Sequence, residues 1–179
     1  MMRRFLSFLF VVLAVSILDG AIVGASSERP APLPREKAVA IPEMEFYVVR
    51  GEPDACGQGC NEWIAAEGRI DLGAAKRLHR LLAELSPRRP PIYFHSPGGA
   101  VSGSIALGRL IRDRLLEVGV AHTVPLGCER DKPPELSCEA QKRSGQELRA
   151  DFDPTSAMCN SACVLALVGG VVRFIPPGA

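Results

Sequence analysis

Little in this chain favours a nucleic-acid-binding or membrane-spanning protein. Aromatic residues make up 6% of the 179 positions, Trp63 is the single tryptophan, and 21 Lys+Arg stand against 20 Asp+Glu. No block of like charges occurs, so neither the basic face nor the stacking aromatics of a nucleic-acid binder is present, and no nucleic-acid partner is expected. The longest apolar stretch, Phe5 to Leu18, is 14 residues. That is short of the roughly 20 a spanning helix needs. The 17 glycines and 15 prolines show no period, which excludes collagen-like and solenoid repeats. No Cys-x-x-Cys occurs, and none of the three histidines clusters with the cysteines. What is left is enough hydrophobic content, 47%, and enough length for one globular domain.

The first residues have the layout of a secretory signal. Arg3 and Arg4 precede the apolar stretch, Asp19 interrupts it, and Val23-Gly24-Ala25 supplies a small-residue cleavage pattern. Cleavage after Ala25 is expected, giving a signal peptide over 1–25, a Pro-rich linker over 26–42 and a domain over 43–179. Membrane attachment is expected only if the signal is retained. Six cysteines behind such a signal point to disulfides in the periplasm or another oxidising, exported setting. They fall as Cys56/Cys60, Cys128/Cys138 and Cys159/Cys163. Local pairing suits the first two couples, but six cysteines allow 15 connectivities. Cys159 must precede its helix to reach Cys163, or one of the two pairs elsewhere. Zinc is the competing reading of paired thiols; no metal or cofactor is assigned.

Along the domain, Glu43 to Arg50 and Trp63 to Gly68 predict strands. Asp71 is a candidate N-cap for a helix to Leu85, whose Leu78, Leu81, Leu82 and Leu85 form one apolar stripe. Ile92 to His95 predicts a strand, Ser96-Pro97-Gly98-Gly99 a turn, and Val101 to Glu117 a helix with Leu107, Ile111, Leu115 and Val118 on one side. A strand over Val118 to Val124 follows. Leu126 to Pro154 reads as an inserted loop with a helical turn near Ser137 to Leu148. An apolar helix from Met158 to Leu167, the Gly169-Gly170 stop and a strand over Val171 to Ile175 complete the pattern. Alternating strands and helices predict an α/β fold with a mostly parallel sheet.

Two segments have residues suited to chemistry. Glycines after Ser96-Pro97 leave backbone N–H groups open to an oxyanion, although the same turn also serves as a plain strand-to-helix connection. Ser161, in Cys159-Asn160-Ser161-Ala162-Cys163, is either a helix cap or a nucleophile. A nucleophilic serine needs a base, and spacing does not select among His79, His95 and His122.

Taken together, these segments resemble the Clp protease proteolytic subunit and its crotonase-like superfamily over Trp63 to Ala179. The segment Gly68-Arg69-Ile70-Asp71 is similar to that family's Gly-x-Ile-Asp. The signal, the Cys56 turn and the Cys-Asn-Ser-Ala-Cys segment also resemble a group of bacterial envelope proteins of this fold. The resemblance implies ββα units, Ser161 as nucleophile, Gly98 and Gly99 at the oxyanion hole, a peptide or acyl substrate and homo-oligomeric assembly. The family places its base histidine just past the strand matching Val171 to Ile175 and its acid well beyond. The chain as given stops at Ala179, so the expectation is a C-terminally truncated, inactive serine hydrolase-like domain, or a non-catalytic envelope protein that keeps the fold. His95 is the alternative base. Export argues against an acyl-CoA enzyme, because coenzyme A is cytoplasmic.

Overall fold

The computed structural model describes residues 41–129 and 136–177. The expected signal peptide and nearly all of the linker lie outside them. Among the described residues no helix is long and apolar enough to cross a membrane. Eleven elements follow in order: β1 (Glu45–Arg50), β2 (Glu62–Glu67), α1 (Ala74–Leu85), β3 (Ile92–His95), α2 (Val101–Asp113), β4 (Val118–Val120), β5 (His122–Pro125), α3 (Leu136–Lys142), β6 (Leu148–Asp153), α4 (Cys163–Leu167) and β7 (Arg173–Phe174). The seven strands are ordered β5-β6-β1-β2-β3-β4-β7.

The sheet is mixed rather than mostly parallel in its first half. Strands β2, β3, β4 and β7 are mutually parallel, but β1 runs antiparallel to β2 and β5 antiparallel to β6. Alternation along each strand separates two cores. Ile64, Ala66, Ile92, Phe94, Val118 and Val120 face the helices, meeting Leu78, Leu82 and Leu85 of α1, Leu107 and Ile111 of α2, and Ala166 and Leu167 of α4. Trp63, Ala65 and Tyr93 point the other way. There Phe152 of β6 sets its ring edge-on against Trp63 at 5.5 Å and Tyr93 at 4.6 Å, so the β5–β6 pair covers this face.

Several expectations need correction. The run from Val118 to Val124 is two strands: Ala121 donates its N–H to the Phe94 carbonyl, and the chain then leaves the parallel sheet. The Trp63 indole donates to Thr123 Oγ1 at 3.0 Å, which holds β5 against the covered face. Helix α2 stops four residues early. Leu116 N–H reaches Ile111 O, Leu115 N–H reaches Arg112 O, and Leu115 takes φ 54, a Schellman ending without its usual glycine. Leu115 is consequently 63% exposed rather than part of the apolar side, and Val118 lies in β4. Asp71 is not the N-cap of α1; Gly73 is, and the Asp71 carboxylate accepts the Gly73 N–H and pairs with Arg77. Among the described residues of the 126–154 segment, α3 stands where the helical turn was expected, but Leu148–Asp153 is a sheet strand, β6, rather than loop. Helix α4 begins only at Cys163, and the last strand is confined to Arg173 and Phe174, the two residues registered on β4.

The cysteines pair locally as Cys56–Cys60, Cys128–Cys138 and Cys159–Cys163, with Cα separations of 5.1, 6.1 and 5.2 Å. Cys159 precedes α4, which removes the helical obstacle to the third pair. No free cysteine is left to ligate zinc. Three disulfides fit an oxidising compartment. Thiol titration of the denatured chain is therefore expected to give no reaction before reduction and six equivalents after it; six equivalents before reduction would overturn the pairing.

Candidate functional site

The Ser96–Gly99 turn is built by its neighbours. Phe94 and Ser96 share the helix-facing side of β3, and the buried Ser96 hydroxyl donates to Gly68 O at 2.7 Å while accepting the Gly98 N–H at 3.1 Å. Ile70 N–H donates to Gly98 O and Ala100 N–H donates to Ile70 O, both at 2.8 Å, so the turn is fastened to the lead-in of α1. Gly98 and Gly99 take φ 100 and φ 151, a region L-residues rarely enter.

Ser161 is delivered to the same place by a different segment. Ser96 N–H donates to Met158 O and Asn160 N–H donates to Ser96 O, at 2.8 and 3.0 Å, forming a short parallel bridge beside the turn. The Cys159–Cys163 disulfide then closes around Ser161. Ser161 is exposed and takes φ 52, an unusual conformation for a serine at the foot of a helix. A methyl group at Gly98 would lie 2.6 Å from Asn160 O and 2.8 Å from Ser161 Cβ, so the serine packs directly on the glycine turn. The structure thus brings Ser161 and Gly98 into contact, as the resemblance implies. Because Gly98 N–H is engaged by Ser96, the amides left over are those of Gly99 and Ala162: neither donates to a protein acceptor among the described residues. Ala162 was not anticipated from the sequence.

No histidine joins this site. His79 lies on α1, with Nε2 3.0 Å from the Arg114 guanidinium. His95 follows Tyr93 onto the opposite face of the sheet and stacks on His122, with ring centroids 4.3 Å apart. Among the described residues no side chain hydrogen-bonds the Ser161 hydroxyl. No family model, curated protein or solved structure matches the chain. The α/β architecture and the geometry of its sites are accordingly what any functional reading must use.

On the face with the two histidines lies a cavity of about 380 Å³, bounded by the ends of β2 and β3, by β5 and by α3. Its floor is Glu67, which accepts hydrogen bonds from the Tyr47 hydroxyl, from Lys142 Nζ at 2.7 Å and from Thr123 N–H at 3.0 Å. Burial pushes the Glu67 carboxyl up, but the Lys142 and His122 charges and the Lys142 and Tyr47 hydrogen bonds outweigh it and hold the group below its ordinary value. The same burial, with Glu67 alongside, raises the Tyr47 phenol well above its usual range. His122 Nδ1 is 3.3 Å from the Ser156 hydroxyl, which donates to Asp153. His95 Nδ1 is buried with no hydrogen-bond partner. Burial and the neighbouring His122 lower His95 to about 4.

None of these cavity residues was marked by the sequence except the two histidines. Glu67 closes an apolar strand and its partner Lys142 is 75 positions away, so no spacing connects them. A pH effect follows. Between the unfolded value near 6.5 and the folded value of about 4, the unfolded chain takes up a proton that folded His95 refuses, so stability falls on acidification by about 3 kcal/mol. Urea denaturation from pH 7 to pH 4 should show a shallower decline for His95→Phe. An unchanged slope would mean that His95 is protonated in the folded protein.

Proposed function

We propose that the chain is an exported, Clp protease/crotonase-like domain with a site for acyl transfer from a peptide or acyl substrate. Ser161 is its nucleophile, and the N–H groups of Gly99 and Ala162 receive the oxyanion, with Gly98 allowing the close approach. The observation that carries this reading is Ser161 at φ 52, disulfide-clamped and packed against Gly98. A hydroxyl beside open amide donors is the minimal arrangement for acyl transfer. The described residues supply no base to Ser161, so turnover by them alone is weak, at the level of an oxyanion hole without its triad.

An activated ester tests the reading, because its good leaving group reduces the need for a base. After incubation with p-nitrophenyl acetate, mass spectrometry is expected to find acetylation concentrated on Ser161, and the adduct should vanish in Ser161→Ala. Acetylation scattered over lysines and tyrosines, with Ser161 unmodified, would remove Ser161 from the chemistry. The second reading, a non-catalytic envelope protein, is favoured by one observation: among the described residues none of the three histidines hydrogen-bonds Ser161, His79 meeting Arg114, His122 meeting Ser156 and His95 stacking on His122.

A further inference from the structure

We propose that the cavity over Glu67 is a second, independent site that binds an organic cation, an ammonium or guanidinium on an aliphatic stem such as ends a lysine or arginine side chain. Its volume of about 380 Å³ is that of a small-ligand pocket. The walls combine two kinds of surface. Ile41, Pro42, Val124, Pro125 and Met158 provide an apolar lining for a stem. Met158 is 37% exposed, and its flexible thioether adapts to stems of different shape.

Charge decides the head group. Among the described residues, Glu43, Glu45, Glu67, Glu129 and Glu139 bring five carboxylates to the cavity lining, against the two cations Lys142 and Arg143. Both cations are already held by carboxylates of the same wall. Lys142 lies 2.7 Å from Glu67 and 3.6 Å from Glu139, and Arg143 lies 3.5 Å from Glu45 and 3.3 Å from Glu139. An incoming anion would therefore compete with built ion pairs inside a negative wall, whereas a cation is drawn in, more strongly because the cavity is partly shielded from water. The head group must also carry N–H donors. The ionised carboxylates of the wall can only accept hydrogen bonds, and an ammonium or guanidinium supplies the donors that an uncharged apolar ligand lacks. A bare metal ion fits less well: among the described residues no group of three or more His, Cys, Asp or Glu is placed to hold one. The Cys128–Cys138 disulfide ties the turn after β5 to α3, fixing the wall that carries Glu139, Lys142 and Arg143.

Calorimetry on the full chain can compare Nα-acetyl-lysine amide and Nα-acetyl-arginine amide with the uncharged isostere Nα-acetyl-norleucine amide and with butyrate. At least tenfold tighter binding of the two cations, weakening as salt is added, is expected. Putrescine and agmatine distinguish the source: binding as tight as that of the amino-acid amides identifies a free amine, and weaker binding identifies a polypeptide side chain. Glu43 is exposed, and Glu45 meets Arg143 in a half-exposed pair, with side-chain exposures of 45% and 52%, of a kind that adds at most about 1 kcal/mol. The double variant Glu43→Gln/Glu45→Gln should therefore stay folded with a melting temperature close to that of the wild type and lose about tenfold in cation affinity. Ser161→Ala should bind as the wild type does, so failure of the acyl-transfer reading leaves this site standing. Equal binding of norleucine and lysine amides, tighter binding of butyrate, or an unaffected double variant would each overturn the proposal.

Discussion

Alanine at Gly99 is expected to destabilise the fold by about 3 kcal/mol or more, a large share of a net stability of about 5–15 kcal/mol. The added carbon would lie 2.0 Å from the Ile70 carbonyl oxygen and 2.8 Å from both the carbonyl carbon and the nitrogen of that residue. These are backbone atoms, so no rotamer change relieves the overlap. Nor is the Ile70 backbone free to retreat: its N–H is bonded to Gly98 O, its carbonyl accepts the Ala100 N–H, and its side chain is fully buried. The φ of 151 adds strain for any residue with a Cβ. Gly127→Ala is the control, with a positive φ of 84 but open space around it. It should lose about 1 kcal/mol, from backbone strain alone. Urea denaturation measures both, and a Gly99→Ala protein within 0.5 kcal/mol of wild type would show that the turn is not clamped against Ile70.

The parts of the fold that were legible in the sequence are those specified by local periodicity. The leucine stripe of α1 and the short strand before Ser96 stand where their patterns placed them. Strand β6 was missed despite a usable signal: Leu148, Ala150 and Asp153 are buried while Arg149 and Asp151 are exposed, but charges on one face and distant partners on β1 and β5 disguised it as loop. The division at Ala121 had no local marker, because Val118 to Val124 is apolar throughout apart from His122 and Thr123, and only tertiary bonds from Trp63 and Phe94 separate its halves. The early end of α2 was hidden for the opposite reason. Leu115 occupies the left-handed position that glycine usually announces.

The two sites differ in the same way. Contact between Ser161 and Gly98 was expected only through the resemblance, which pairs two short motifs that on their own residues read equally as a plain turn and a helix cap. The cavity depends on Glu67, Tyr47, Thr123 and Lys142, which come from β2, β1, β5 and α3 and share no sequence pattern. Such a cluster becomes visible only when strand pairing is known, since β1 and β2 place Tyr47 opposite Ala65, two positions from the strand end that carries Glu67. The register leaves room for the phenol to reach the carboxylate diagonally, and α3 then closes the site with its lysine.

Removing that lysine tests the cluster most severely. In Lys142→Met the Glu67 carboxylate keeps the Tyr47 hydroxyl and the Thr123 N–H but loses its opposite charge, at side-chain exposures of 11% for the glutamate and 10% for the lysine. Breaking one partner of a pair buried to this degree destabilises by about 3–5 kcal/mol at neutral pH. The effect should also depend on pH with a reversed sign. In the wild type the folded carboxyl lies below its ordinary value, so its contribution is present above about pH 4.3 and is lost as pH falls through the folded value. In the variant burial dominates and the folded carboxyl rises above the unfolded one. Protonation then favours the folded state, and this group's contribution improves as pH falls from 7 towards 5. The stability gap between variant and wild type should therefore narrow on acidification, and Glu67→Gln/Lys142→Met should recover much of the loss at pH 7. Denaturation at pH 7 and pH 5 on the three proteins decides the matter: a gap of the same size at both values would mean that Lys142 contributes packing alone and that the hydrogen bonds from Tyr47 and Thr123 suffice to keep Glu67 ionised.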